Sequence, residues 1–321
     1  MNYNPRYFDP KRTGGKALGE AGAVTFSWRE DERTECYVFA PKVILAVNVA
    51  LATGRPLLVA GEPGSGKSTL ANAIAKVQGW WYYQQTVTSR TQAADLLWRF
   101  DSLRRLNDAN TRGTKLLSNQ YYVEPGAVWW GFDPLSAAQR GLREKLGSSA
   151  EARDPGVRGV ENKAVVLIDE IDKADPDVPN DLLEPFDVQQ FTVKETNDVI
   201  VAKRKVFLLL TTNGERELPL AFVRRCVSLR LDEPDATWFM WVAAEHDPAG
   251  DQQLHERIAG EVMRLRGEAE ARLIRRPSTA EFLDALAACR DLELDESFSS
   301  WEDVARGVLW KSPQAFPPRP A

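Results

Sequence analysis

Lys67 and Ser68 close the stretch Gly61-Glu62-Pro63-Gly64-Ser65-Gly66-Lys67-Ser68, which meets every fixed position of G-x-x-x-x-G-K-[ST]. Glycines at this spacing let the backbone approach a polyanion closely and aim several N–H groups at it. Lys67 would reach the β- and γ-phosphates of a nucleoside triphosphate, and the Ser68 hydroxyl would ligate Mg²⁺. Glu62, Pro63 and Ser65 fill the variable loop positions, and Thr69 follows as the next candidate contact. A hundred residues on, Asp169-Glu170 pairs two carboxylates. Asp169 suits a direct or outer-sphere Mg²⁺ role, and Glu170 can polarise a water for in-line attack. Asn213 carries an amide able to orient that water, and Arg224-Arg225 supplies two adjacent guanidiniums.

Elements that could position these groups are visible in the flanking patterns. The apolar run Pro56 to Ala60 precedes the loop and a helix-compatible run, Ser68 to Lys76, follows it, so a strand feeds a helix N-terminus. Val165-Val166-Leu167-Ile168 is apolar on both faces, the mark of a central strand in a parallel sheet covered by helices. Ligands of such sheets sit beyond the carboxyl ends of the strands, which sets Asp169 and Glu170 opposite the loop. Lys205 to Asn213 repeats the design, and Val227 to Leu231 is a further apolar run after the paired arginines.

In order and spacing, these segments resemble Walker A (61–68), Walker B (165–170), sensor 1 (Asn213) and the paired arginine of AAA+ ATPases. The wording Arg55-Pro56-Leu57-Leu58-Val59, Asp169-Glu170-Ile171-Asp172-Lys173-Ala174 and Arg276-Pro277-Ser278-Thr279-Ala280-Glu281-Phe282 is similar to the MoxR-like branch, over residues 35 to 290. The resemblance implies an α/β fold with a five-stranded parallel sheet sandwiched by helices and a smaller all-α lid. It also implies ATP as the nucleotide and a homo-oligomeric ring, a hexamer. Arg225, or else Arg224, would then project as a finger into a neighbour's site, where a planar guanidinium offsets charge on the γ-phosphoryl oxygens. Family members usually place a sensor-2 arginine at the start of a lid helix, often just after a proline. Here Arg275 and Arg276 precede Pro277, a departure from that pattern, and Arg276 is the candidate for the cis contact with the γ-phosphate.

The resulting organisation is an irregular extension (1–34), a nucleotide-binding domain (35–232) with a helix-2 insert at about 90–163, a helical lid (233–311) and a Pro-rich tail (312–321). Within the insert, Asp95 to Phe100 reads as helix. Gln120 to Trp130 reads as two aromatic strands around a Pro-Gly turn, a hairpin like that of MoxR-like proteins. Trp129 and Trp130 pack inward as core or, on an exposed axial face, grip a substrate; core is the commoner fate of paired aromatics. Ser136 to Asn162 reads as a mobile loop. Phe191 to Val201 reads as a hairpin before the sensor strand. Thr237–Glu245, Gln252–Glu268, Thr279–Arg290 and Trp301–Trp310 are helix-patterned.

Composition narrows the classes. The 321 residues, 43% hydrophobic and 27% charged, suit a soluble globular chain, with no apolar run long enough for a membrane span and no secretory h-region. Three widely spaced cysteines suggest reduced thiols and a cytoplasmic setting. His246 and His255 read as surface positions without metal spacing. The net charge of −5 weighs against a nucleic-acid partner, and Lys203-Arg204-Lys205 reads as a solvated strand edge. By resemblance, the leading function is remodelling or activating a partner protein, with a separate von Willebrand factor A-type protein as partner. The alternative is a nucleotide-driven nucleic-acid motor of McrB type.

Overall fold

The computed structural model describes residues 4–18, 23–30, 33–112, 117–142, 154–272, 274–292, 294 and 305–309. In chain order, strands β1 (Lys16–Leu18), β2 (Ala23–Glu30) and β3 (Arg33–Phe39) lead into α1 (Pro41–Thr53), β4 (Leu57–Ala60), α2 (Lys67–Gln78) and β5 (Trp81–Thr86). The next stretch holds α3 (Ala93–Leu97), β6 (Trp98–Phe100), α4 (Ser102–Arg112), β7 (Val123–Pro125), α5 (Ala127–Phe132) and α6 (Pro134–Ala138). Then come β8 (Lys163–Asp169), α7 (Val178–Val188), β9 (Gln190–Val193), β10 (Asp198–Val201), β11 (Lys205–Thr212), α8 (Leu220–Arg225) and β12 (Val227–Arg230). The C-terminal helices are α9 (Ala236–His246), α10 (Gln252–Ala271) and α11 (Thr279–Asp291).

Five strands form one sheet in the order β12-β4-β11-β8-β5, and every neighbouring pair is parallel. Strand periodicity divides its side chains between two cores. Ala164, Val166 and Ile168 of β8 join Leu208 and Leu210 in a cluster with α3, α5 and α7. Val165 and Leu167 point the other way, with Leu57, Val59 and Leu209, onto α1 and α2. Five consecutive residues, Ala164 to Ile168, are 0% exposed, as a strand covered on both faces requires. A third cluster unites α9, α10 and α11 through Phe239, Ile258, Val262 and Phe282.

Several segments differ from their sequence reading. The N-terminal extension is not irregular throughout: β1, β2 and β3 form an antiparallel sheet. It packs both ways, with Val24 and Phe39 in the α1–α2 core and Ala23 and Val38 in the C-terminal helical cluster. The helix expected over Asp95–Phe100 stops at Leu97, and Trp98–Phe100 turns into strand to pair with Val123–Pro125. Gln120–Trp130 is therefore no hairpin: it runs as a 3-10 turn, one strand and the start of α5. Gly126 makes that pairing possible, because a side chain there would meet the Leu96 carbonyl oxygen at 2.5 Å. Trp129 is core at 0% exposure, while Trp130 is half-buried.

Of the segment Ser136–Asn162, residues 143–153 lie outside those described; Ser136 belongs to α6, and Val157 bridges Tyr82 of β5. The hairpin before the sensor strand is present as β9–β10. Of Trp301–Trp310, residues 305–309 form a short π-helical turn and the rest lie outside the described residues, as do 312–321. His255 is buried (5% exposed), with Nε2 2.9 Å from Asp247 Oδ2, and His246 is half-buried, so neither is the plain surface residue expected. The Lys203–Lys205 edge is partly tied down. Lys203 pairs with Asp133 at 2.7 Å, and the Arg204 guanidinium lies over the Trp81 ring.

Candidate active site

Strand register brings the chemistry to one level. Ala60, the last residue of β4, aligns with Thr212, and Asp169 aligns with Thr86, so the loop, the carboxylates and Asn213 all leave the same end of the sheet. Gly64 and Gly66 have φ of +76° and +84°, left-handed values that L side chains rarely adopt, and Gly66 serves as the N-cap of α2. The turn thus points the free N–H groups of α2's first turn, and the positive end of its dipole, into the loop.

Lys67 is buried (6% exposed) and donates to the carbonyls of Gly61 at 3.0 Å and Glu62 at 2.8 Å. Burial lowers its pKa, opposed by the charges of Asp169, Glu170, Asp172 and Glu62. Ser68 Oγ lies 3.0 and 2.8 Å from the two oxygens of Asp169. Thr211 Oγ1 donates to Asp169 as well and accepts from the Glu170 N–H at 2.8 Å, locking adjacent strand ends together. Gln84 reaches Asp169 Oδ2 more loosely, at 3.4 Å.

Glu170 has φ +60°, a conformation that costs a non-glycine residue of order 1 kcal/mol. The turn swings its carboxylate away from the strand. Oε1 accepts from Asn213 Nδ2 at 3.0 Å, and Oε2 meets Lys173 Nζ at 2.7 Å. The expected base and the expected water-orienting amide are therefore in direct contact. Asp172 braces the loop beyond Asn213 by accepting from the Glu215 N–H at 2.9 Å.

The donor set fits a magnesium nucleotide. Ser65 Oγ is buried in the loop and has no hydrogen-bond partner among the described residues, the state expected of a group aimed at an external one. A hydroxyl beside a single carboxylate suits Mg²⁺, which takes few protein oxygens and completes its shell with phosphate and water. Ser68 and Asp169 would hold it. Thr69, the third residue of α2, is exposed.

The arginines part company. Arg276 lies against the loop, hydrogen-bonded to Glu62 Oε1 at 3.0 Å and to Glu233 at 2.8 and 2.9 Å. Arg224 and Arg225 end α8 just before β12, whose first residue aligns with the first residue of β4. They thus sit at the opposite end of the sheet from the loop, and β4's four residues put roughly 10 Å or more between the two ends. There they line a cleft of about 960 Å³ with Arg55, Lys205 and Asp187, and Arg225 pairs with Asp187. They do not meet this chain's own loop. Sequence reasoning missed Thr211 and Gln84, whose strands only the sheet order sets beside β8, Lys173, three residues from Glu170, and Arg266, which helix packing brings to the loop.

A phosphate loop, an acidic strand end and an amide sensor on adjacent parallel strands, backed by a helical C-terminal region, define a P-loop protein of AAA+ architecture. Residues 56–226, just over half of the chain, match the family model described as an AAA domain of the dynein-related subfamily, and the chain belongs to that family. Among solved structures, a protein of Cytophaga hutchinsonii described as a candidate ATPase is 16% identical with a TM-score of 0.40; the match covers 70% of this chain and 58% of that one. A point mutant of RuvB from Thermotoga maritima is 17% identical with a TM-score of 0.39, covering 83% of this chain and 73% of that one. No curated protein matches the chain.

Proposed function

We propose that this protein is a Mg²⁺-dependent ATP hydrolase of the MoxR-like branch, acting as a hexameric ring that remodels a partner protein. The observation that carries the reading is the contact of Ser68 Oγ with the Asp169 carboxylate at 2.8 Å, beside a Glu170 already paired with Asn213. A bound Mg²⁺ would supply charge neutralisation between the phosphates. Around it, Lys67 binds the phosphate oxygens, Glu170 accepts a proton from the attacking water, and Asn213 fixes that carboxylate's direction. Residues 35–232 act as the nucleotide-binding domain and 233–311 as the lid. The position of Arg225, remote from its own loop, supports a finger acting on the next subunit. By resemblance, the partner is a von Willebrand factor A-type protein.

The test is a pair of substitutions. Glu170→Gln is expected to keep ATP binding while phosphate release falls about 10²-fold or more. Lys67→Ala is expected to lose binding itself. Undiminished turnover by Glu170→Gln would remove Glu170 as the base, and binding that ignores Lys67 would place the nucleotide elsewhere.

A further inference from the structure

Glu62, the second residue of the phosphate loop, is where the loop meets the helical region. Its Oε1 accepts from Arg276 Nε at 3.0 Å, and its Oε2 lies 3.3 Å from both terminal nitrogens of Arg266. Arg266, in α10, has a side chain only 6% exposed and donates also to the Pro277 carbonyl at 2.5 Å. Arg276 shares its remaining nitrogens with Glu233. Backbone contacts hold the same surfaces together. The Ala280 N–H donates to the Gly64 carbonyl at 3.2 Å, and Ser278 Oγ occupies the space a side chain on Gly64 would need. Glu62 also offers its carbonyl to Lys67 Nζ at 2.8 Å.

Three cations therefore converge on one loop residue, inside the loop that must receive a polyanion. A guanidinium binds carboxylate and phosphate through the same fork of N–H groups, so it cannot serve both fully. The carboxylate of Glu62 also repels phosphate charge at short range. A ligand that takes over Arg266 and Arg276 has to outcompete a carboxylate already in place, and a triphosphate competes better than a diphosphate.

We propose that Glu62 is a specificity-determining residue that occupies Arg266 and Arg276 as an internal anion, so that only a nucleoside triphosphate draws them onto its phosphates. The proposal rests on the nucleotide-site reading above. It makes Glu62 the residue that sets preference for triphosphate over diphosphate and speeds product release.

Its test is titration with fluorescently labelled ADP and ATPγS, with Mg²⁺, on wild type, Glu62→Gln, Arg276→Ala and the double variant. Glu62→Gln is expected to tighten ADP about three- to tenfold and ATPγS less, and to lower kcat and KM together. On the Arg276→Ala background the same change should tighten ADP by less than half as much. Unchanged or weakened ADP binding by Glu62→Gln with an unaltered melting temperature would show Glu62 to be a structural strut and overturn the proposal. Should Glu62→Gln fold poorly, Glu233→Gln decides: it removes Arg276's other carboxylate and should shift ADP affinity the same way, and no shift overturns the proposal. If wild type binds neither nucleotide through Lys67, the nucleotide-site reading fails and the role of Glu62 fails with it. If wild type binds both and the variants do not differ, only the role of Glu62 fails.

Discussion

At the residue scale, the site is a set of polar groups each doing two jobs. Thr211 is 0% exposed and serves Asp169 with its hydrogen and the Glu170 N–H with its lone pair. Thr211→Val keeps the shape, strands the Glu170 N–H and leaves Asp169 with Ser68 and Gln84 alone, so a loss of about 1–3 kcal/mol in urea unfolding is expected, together with weaker Mg²⁺-dependent nucleotide binding. A variant as stable as wild type would mean that water replaces the hydroxyl. Glu170 is held from both sides, by Asn213 and Lys173. Asn213→Ala should leave nucleotide affinity within about twofold and lower kcat by about tenfold or more, measured by steady-state phosphate release. An affinity loss matching the rate loss would make Asn213 a binding residue instead.

At the scale of elements, the site depends on helices pressed hard against the sheet. Gly131 of α5 faces Val166 of β8, where an added Cβ would come within 2.6 Å of a Val166 methyl. Gly131→Ala is expected to cost about 1–3 kcal/mol by overpacking, read as a lower denaturation midpoint. The end of α9 gives a pH-dependent term. Burial holds the His246 pKa below its ordinary 6.5, partly opposed by Glu35 and Glu245. The unfolded chain then binds more protons, so this contribution is present above pH 6.5 and is lost as pH falls through the lowered folded value. His246→Gln should flatten the fall in melting temperature between pH 7 and pH 5 relative to wild type; identical slopes would rule His246 out as its source.

For the whole molecule, the geometry separates the loop from Arg224 and Arg225 by the length of the sheet. On the proposed reading Arg225 is a finger that acts only on another copy, so Arg225→Ala should be inactive alone and should regain activity when mixed with Glu170→Gln. Arg225→Ala retains an intact loop and Glu170→Gln retains an intact finger. In an equal mixture about a quarter of the sites would combine both intact parts, and phosphate release should recover to about that fraction of wild type. No recovery in mixed rings would place the deficit of Arg225→Ala within its own subunit.

How much of this was legible beforehand divides by range along the chain. The phosphate loop, the Asp-Glu strand end, the β9–β10 hairpin and helices α9 to α11 were readable because each is a local pattern, written in consecutive residues by glycine spacing or apolar period. The insert misled because Trp98–Phe100 and Val123–Pro125 become strands only by finding each other across 20-odd residues, against the helical tendency of the first. The N-terminal sheet was invisible for a similar reason: its strands are secured by packing between two distant cores. Contacts such as Glu62 with Arg276 span 214 residues, and no spacing rule connects them. The amino-acid order by itself determined which groups are chemically able to hold a triphosphate and activate water. Which carboxylate meets which cation, and which end of the sheet each arginine occupies, was decided by strand order and helix packing, because partners so far apart in the chain meet only when burial brings their elements together.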